Sequence, residues 1–465
     1  MIFALITQEA ARAVLQAALT TGADFAELYM EDVRSNTLAV SRGEVEDAAS
    51  SRRHGAGVRV FAGLKTAYAY TADTSLESLC ATARAAAAAV KADAAVTIAP
   101  FAVNDWRSAP AVPFAEVDGG RRVKLALEAY NAARGYSPEI VQAQVRILDV
   151  DGDVLVANTE GVFSMDRRCR MRLVVQAVAS DGKSTQTGHE GPGFGMGFEG
   201  FDRIDPVHYA EEAARQAVTM LHAPECPASS LPVIIDGGFG GVIFHEACGH
   251  SLEATSVSRG NSEFCGKLGQ QVADARVTAV DDGTLAGEWG TLHMDDEGTP
   301  TQRNVLIDHG ILKGYLVDRL GGLRMNMPVT GSSRRQSYAY APTSRMTNTF
   351  IAAGDDDEAE MISTCPEGLY AKSMGGGSVN PLTGEFNFAV SEGYWIKNGQ
   401  IVTPVRGATL IGRGADVIRR IDRVGTEMTM GQGMCGSQSG SIPVNVGQPR
   451  IRVTELTIGG KGGAL

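Results

Sequence analysis

Apolar and polar positions recur along this chain with two periods. Over 7–22, Ala11, Val14, Leu15 and Ala18 fall on one helical face, and Gly22 stands where a cap glycine belongs. The period then drops to two. Val58, Val60 and Ala62 alternate in "GVRVFAG" (57–63), Gly63 marks a turn, and Thr66, Tyr68 and Tyr70 follow in "KTAYAYT" (65–71). Thr74-Ser75-Leu76-Glu77 has the form of a capping box and predicts an alanine-rich helix to about Lys91. Helical patterns return over 120–134 and 206–221. Between them Val141, Ala143, Val145 and Ile147 alternate, and Asp151-Gly152 predicts a hairpin turn. Arg168, Arg170 and Arg172 alternate with Cys169, Met171 and Leu173, so they share one strand face, expected to be solvated.

The proline- and serine-rich "HAPECPASSLP" (222–232) reads as a linker, which predicts two domains, 1–225 and 226–465. After it come a strand, "PVIIDGG", and a helix, "FGGVIFHEACGHSLEA". Beyond about residue 270 the helical signal weakens. Asp281-Asp282-Gly283, Asp308-His309-Gly310 and Asn398-Gly399 predict hairpin turns between alternating runs. The expected fold class is α+β. An N-terminal antiparallel sheet packs with helices, and a mostly β C-terminal domain carries the "HEACGH" helix. No internal repeat is visible.

Composition narrows the function classes. A net charge of −12 over 465 residues, with no local basic run, argues against a nucleic-acid binder. "MIFALITQEA" lacks a basic start and does not read as a secretory signal. No segment reaches the roughly 18 apolar residues a membrane span needs. Seven cysteines without a CxxC pair fit buried thiols in a reducing compartment, and a cytoplasmic location is expected.

The candidate chemistry lies at His245-Glu246-Ala247-Cys248-Gly249-His250. Zinc takes His, Cys and carboxylate ligands, with an open position for water in a catalytic site. Two histidines at i and i+5 project about 140° apart on a regular α-helix, so one ion cannot take both. Either a π-type bulge or a loosened turn at Gly249 would bring them together. The apolar Val242, Ile243 and Phe244 lead His245 and Glu246 into a buried setting, where a polar group needs a partner. Candidate third ligands are Cys435 in the glycine-rich "MGQGMCGSQSG" (430–440), Cys248, His293 and the Asp295-Asp296-Glu297 cluster.

Here the sequence resembles the TldD/PmbA metallopeptidase family, in its TldD-like, metal-bearing form. The similarity runs in order through "HEACGHSLE", "DDEGTPTQRNVLIDHGILKGYL" (295–316), "SRMTNTFIAAGD" (344–355), "YAKSMGGGSVNPLTGEF" (370–386), "PVRGATLIG" (404–412) and "MCGSQSGSIPVNVGQP" (434–449). It implies Zn²⁺ held by His245, His250 and Cys435, with Glu246 as the catalytic carboxylate and Cys248 at a variable position. It implies hydrolysis of short or unfolded peptides and peptide precursors. It also implies a homodimer, or a heterodimer with a metal-less PmbA/TldE-like sister chain, with no nucleic acid or membrane as partner. Ser437-Gln438-Ser439-Gly440 departs from the more polar or charged turn expected after the Cys-Gly.

On this reading Glu246 is the general base, and extended peptide pairs its main chain with a strand edge. Gly375-Gly376-Gly377 and Thr347-Asn348 are candidate walls. Three other functions are open to the same residues. One is a deformylase-like amidase. One is a thiol hydrolase using Cys435 as nucleophile. The third is a non-catalytic partner subunit.

Overall fold

The computed structural model describes residues 5–380 and 382–463. The first four residues of "MIFALITQEA" and the proline at 381 lie outside the described residues. The fold is α+β, as the patterns predict.

The N-terminal half is built on an eight-stranded sheet. Its main path runs Lys65–Thr71, Glu44–Ala62, Phe25–Ser41, Ile140–Asn158, Val162–Ser180, Ala102–Asp105, in that order. Four helices pack on it: Gln8–Ala18, Leu76–Ala88, Gly119–Gly135 and Pro206–His222. Ala26, Leu28 and Met30 join the core under the first two helices, and Ala143, Val145, Ile147, Leu173 and Val175 join the core under the other two. The helix caps are local. Thr7 accepts a hydrogen bond from the Ala10 amide, and Asp205 accepts from Val207 and His208. The second helix is capped one residue later than the capping box predicts. Ser75 accepts from the Ser78 amide, while the Thr74 hydroxyl bonds the His54 ring.

Two further expectations fail for one reason: the face of this sheet opposite the helices is also buried. Asp151 and Gly152 make no turn. They lie inside the 19-residue strand Ile140–Asn158, opposite Arg34 and Val33. A Cβ on Gly152 would meet the Val33 side chain at 2.7 Å, so the glycine serves close packing. Nor are the three arginines solvated. Arg168 binds the Asp296 carboxylate at 2.6 Å, Arg170 donates to the Trp289 carbonyl at 2.8 Å, and Arg172 donates to the Gln432 carbonyl at 3.0 Å. Each reaches into the C-terminal half.

That half contains two larger sheets. In the first, the strands run Ile311–Leu312, Arg303–Asp308, Ala279–Asp282, Asn348–Ile351, Gly440–Gln448, Thr429–Ser437. In the second, they run Glu367–Val379, Ser229–Ile235, Ile451–Gly459, Thr409–Arg413, Glu385–Lys397, Gln400–Val405, and a further pairing of Glu367–Val379 with Glu385–Lys397 closes a ring. The largest core joins residues of both sheets around Val242, Ile243, Phe244, Ala247 and Leu252, so the "HEACGH" helix is packed between them. His309 and Gly310, and Asn398 and Gly399, take left-handed conformations at true hairpin turns. Asp281 and Asp282 instead belong to a strand. Asp281 is buried and accepts hydrogen bonds from the Thr347 amide, the Thr347 hydroxyl and the Thr349 hydroxyl, an arrangement no exposed turn provides.

The two halves are locked by buried charge. Arg335 is fully buried and donates to Glu27 at 2.9 Å, to the Asp296 carbonyl at 2.7 Å and to the Tyr68 hydroxyl at 3.1 Å. Arg59 bridges Glu27 and Glu297. Removing one partner strands the other charge in a dry site. Arg335→Met should therefore lower unfolding stability by about 3 kcal/mol, read from urea denaturation. An unchanged midpoint would show that Glu27 and Asp296 do not depend on it.

Candidate metal centre

The strand Ser229–Ile235 delivers the chain to a glycine-rich turn in which Gly238 has φ +62°. Gly241 follows. A Cβ there would lie 2.5 to 2.7 Å from backbone atoms of Gly447, so only glycine lets the helix start press onto the strand Gly440–Gln448. One helical turn, Val242–Phe244, precedes a π-helical turn over His245–Gly249 and a 3₁₀ turn over His250–Leu252. Of the two ways to reconcile the i, i+5 spacing, the backbone takes the π turn. The imidazole rings come to 5.2 Å between centroids, at 82° to each other. Gly249 contributes by packing, since a Cβ on it would come within 2.3 Å of Met346 Sδ.

Cys435 arrives from far along the chain. It sits on the edge strand Thr429–Ser437, opposite Ile442 of Gly440–Gln448. Its Sγ lies 3.2 Å from His250 Nε2. The buried Arg345 guanidinium fixes this hairpin, donating to the Cys435 carbonyl, to Ser439 Oγ at 2.9 Å and to the Gly440 carbonyl at 3.0 Å. Ser439, within the departing Ser-Gln-Ser-Gly turn, is thus an anchor for that clamp. Ligand atoms of His245, Glu246, His250 and Cys435 all lie within 4.8 Å of one another.

The donor set suits a zinc-type cation on the structure's own terms. Both ring nitrogens of His245 are buried and, among the described residues, neither makes a hydrogen bond of normal geometry. A buried polar group left so is costly unless something else engages it. Burial alone would raise the Cys435 thiol, but the His245 and His250 imidazoles outweigh it and bring the thiol down to about 3. Burial would lower His250, yet the Glu253 carboxylate and the Cys435 sulfur hold its imidazole well above the usual range. These neighbours favour the thiolate form of Cys435, the form that ligates a metal ion, and metal binding would displace the imidazole proton. Glu246 is the most accessible of the four, with its side chain 28% exposed and Oε2 3.6 Å from His250 Nε2.

The other candidates go elsewhere. Cys248 is fully buried in the apolar core, where burial and then Glu263 push its thiol well up. His293 bonds Asp166 at 2.8 Å. Asp295 accepts from the Ser333, Glu297 and Thr299 amides, Asp296 binds Arg168, and Glu297 binds Arg59, so this cluster holds the joint between the halves. Thr347 and Asn348 are not walls. Both are buried, bound to Asp281 and to the Asp282 carbonyl. Gly375 and Gly376 do line a cavity of about 1220 Å³, and Gly377 does not. One wall of that cavity runs from Met428 to Met434 and ends one residue short of Cys435.

Two residues escape a motif reading. Glu253 Oε1 lies 3.1 Å from His250 Nδ1, and the i, i+3 spacing in "HEACGHSLE" was the signal for it. Arg345 acts from a distant segment, and no local spacing points to it.

Comparison with known proteins gives the family. The chain matches the PmbA/TldA metallopeptidase C-terminal domain over residues 228–460, the central domain over 112–221 and domain 1 over 26–90. It belongs to the PmbA/TldD metallopeptidase family. Within the family it is 36% identical to a metalloprotease TldD homologue of Haemophilus influenzae, covering 94% of this chain and 93% of that one. It is 29% identical to a zinc metalloprotease TldD homologue of Saccharolobus solfataricus over 62% of this chain and 64% of the relative. The fold is shared with TldE from Thermococcus kodakarensis, with a TM-score of 0.77 at 16% identity over 97% of this chain and 99% of that one. A Thermotoga maritima chain superposes with a TM-score of 0.79 at 19% identity, covering 97% and 100%.

Glu253 is placed to fix the His250 ring with Nε2 toward Cys435. Loss of such a carboxylate partner costs metal affinity by about 10- to 100-fold. Glu253→Gln should weaken zinc binding by that order in a competition with a chromogenic chelator. Wild-type affinity would remove Glu253 from the centre.

Proposed function

We propose that this chain is a zinc-dependent peptidase acting on short or unfolded peptides and peptide precursors. The observation that carries the reading is the buried His245 facing His250, Cys435 and the more exposed Glu246. His245, His250 and Cys435 would hold Zn²⁺, leaving Glu246 free. Bound there, zinc would supply Lewis acidity toward a carbonyl and an acidified water. The Glu246 carboxylate takes a proton from the attacking water and passes it to the departing amine. Glu253 keeps His250 in one orientation through Nδ1, and Arg345 keeps the Cys435 hairpin in place.

The substrate enters the cavity beside the centre. Thr429–Ser437 is the last strand of its sheet, and main-chain pairing at such an edge accepts many sequences. The TldE fold neighbour supports assembly with a metal-less sister chain, with a homodimer as the other arrangement. Among the described residues no helix is long and apolar enough to cross a membrane. All seven cysteines are free thiols, which supports the cytoplasm. We keep 1–225 and 226–465 as the two domains.

The close Cys435–His250 pair gives a second reading, in which the thiolate is the nucleophile. Its burial, with Cys435 only 4% exposed, favours a ligand instead. The two separate cleanly. Glu246→Gln should retain about one zinc per chain and lose peptide hydrolysis by at least about 100-fold, in a fluorogenic peptide assay with parallel metal analysis. Cys435→Ser should lose most of the zinc, and Cys248→Ser should keep it. Full activity after complete removal of the metal would favour the nucleophile.

A further inference from the structure

The cavity beside the centre has one cationic end that the chain does not neutralise. Of the four arginines on the strand Val162–Ser180, Arg172 is the one that lines it. Its guanidinium donates to the carbonyls of Gly191 at 3.0 Å and Gln432 at 3.0 Å, and it lies 5.6 Å from the Trp289 ring. Among the described residues no carboxylate pairs with it, whereas Arg168 has both Asp166 and Asp296.

His189 stands beside it. A Cβ on Gly191 would meet Arg172 Nη2 at 2.8 Å and the His189 ring at 3.2 Å, so the guanidinium and the imidazole flank the same glycine. The His189 side chain opens to the cavity. Burial, then the Arg172 charge, depresses its imidazole, and an arriving anion would offset the Arg172 charge.

The other charges around the cavity are engaged. Lys372 pairs with Glu392 at 3.2 Å, and Glu392 also binds Arg215 at 2.8 Å. Glu288 accepts from Asn445 Nδ2 at 2.6 Å. Burial, with Glu212 and Glu392 nearby, pushes the Glu190 carboxyl up to about 7, so it contributes less than a full negative charge near neutrality. A half-buried guanidinium held by two carbonyls, with no carboxylate partner among the described residues and facing a cavity, suits an anion supplied from outside the protein.

Given the peptidase reading above, on which it rests, we infer that Arg172 and His189 form a subsite for a carboxylate of the peptide substrate. The carboxylate can be a free C-terminus or an Asp or Glu side chain. Gln432, which Arg172 holds, precedes Cys435 by three residues on one strand. At about 3.3 Å per residue the subsite lies roughly 10 Å along the strand from the thiolate, near three residues of extended peptide. Arg172 is here a specificity residue: it touches substrate away from the reacting bond.

The test reads binding, so it does not depend on turnover. Three fluorescein-labelled hexapeptides of alanine and glycine are titrated by anisotropy into zinc-loaded, full-length Glu246→Gln protein. One has a free C-terminal carboxylate. One is C-terminally amidated with a single Glu, and the third is its Gln counterpart. At least one carboxylate peptide should bind about ten-fold or more tighter than the neutral one, and Arg172→Gln should erase that difference. The first two peptides tell the C-terminus from the side chain. Equal binding of all three, or a preference that survives Arg172→Gln, overturns the subsite. If Arg172→Gln proves unfolded by its melting curve, His189→Gln replaces it and must reduce the preference; an undiminished preference overturns the subsite equally. A preference that holds while wild-type protein cleaves no peptide leaves the subsite standing and removes only the peptidase reading.

Discussion

A buried imidazole needs a partner, and what the His245 ring faces is the donor cluster itself. Among the described residues neither of its ring nitrogens makes a hydrogen bond of normal geometry. The fold surrounds it with the donor types a zinc-type cation takes: a thiolate, a second imidazole and a carboxylate. The π turn brings the second imidazole round. The Arg345 clamp brings the thiolate in from the far end of the chain. Gly241 lets the helix touch the strand pair that carries Cys435. Each device makes sense as part of holding one ion, and each costs local regularity that a purely structural helix would keep.

The N-terminal half serves the same end at longer range. Its sheet offers helices on one face and a row of buried charge on the other. Arg168 and Arg170 reach the segment 289–296, Arg335 returns the contact from the C-terminal half, and Arg172 reaches the strand of Cys435 itself. The cavity beside the His245 cluster is walled by residues of both halves, so its shape depends on this joint.

Local signals in the sequence were reliable where physics is local. Helix faces, the Gly310 and Gly399 hairpins and the buried "HEACGH" helix all follow from spacing of a few residues. The i, i+5 histidines call for a distortion, either a π bulge or a loosened turn at Gly249, and the backbone takes the first. What failed depended on a second surface. Asp151-Gly152 reads as a turn until Val33 packs on the glycine. Arg168, Arg170 and Arg172 read as solvated until the other half covers them. Asp281-Asp282 reads as a hairpin until Thr347 and Thr349 bury it. At the site, Glu253 was within reach of a spacing argument, while Arg345 was not, because its partners are about 90 residues away.

The central claim is a single metal ion bound by two nitrogens and one sulfur drawn from segments far apart in the chain. X-ray absorption at the zinc edge, on protein purified without added metal, measures that arrangement directly. The account predicts one sulfur neighbour at about 2.3 Å and two imidazole nitrogens at about 2.0–2.1 Å, with a light-atom neighbour completing the set. A zinc environment with no sulfur, or one with two, would contradict it.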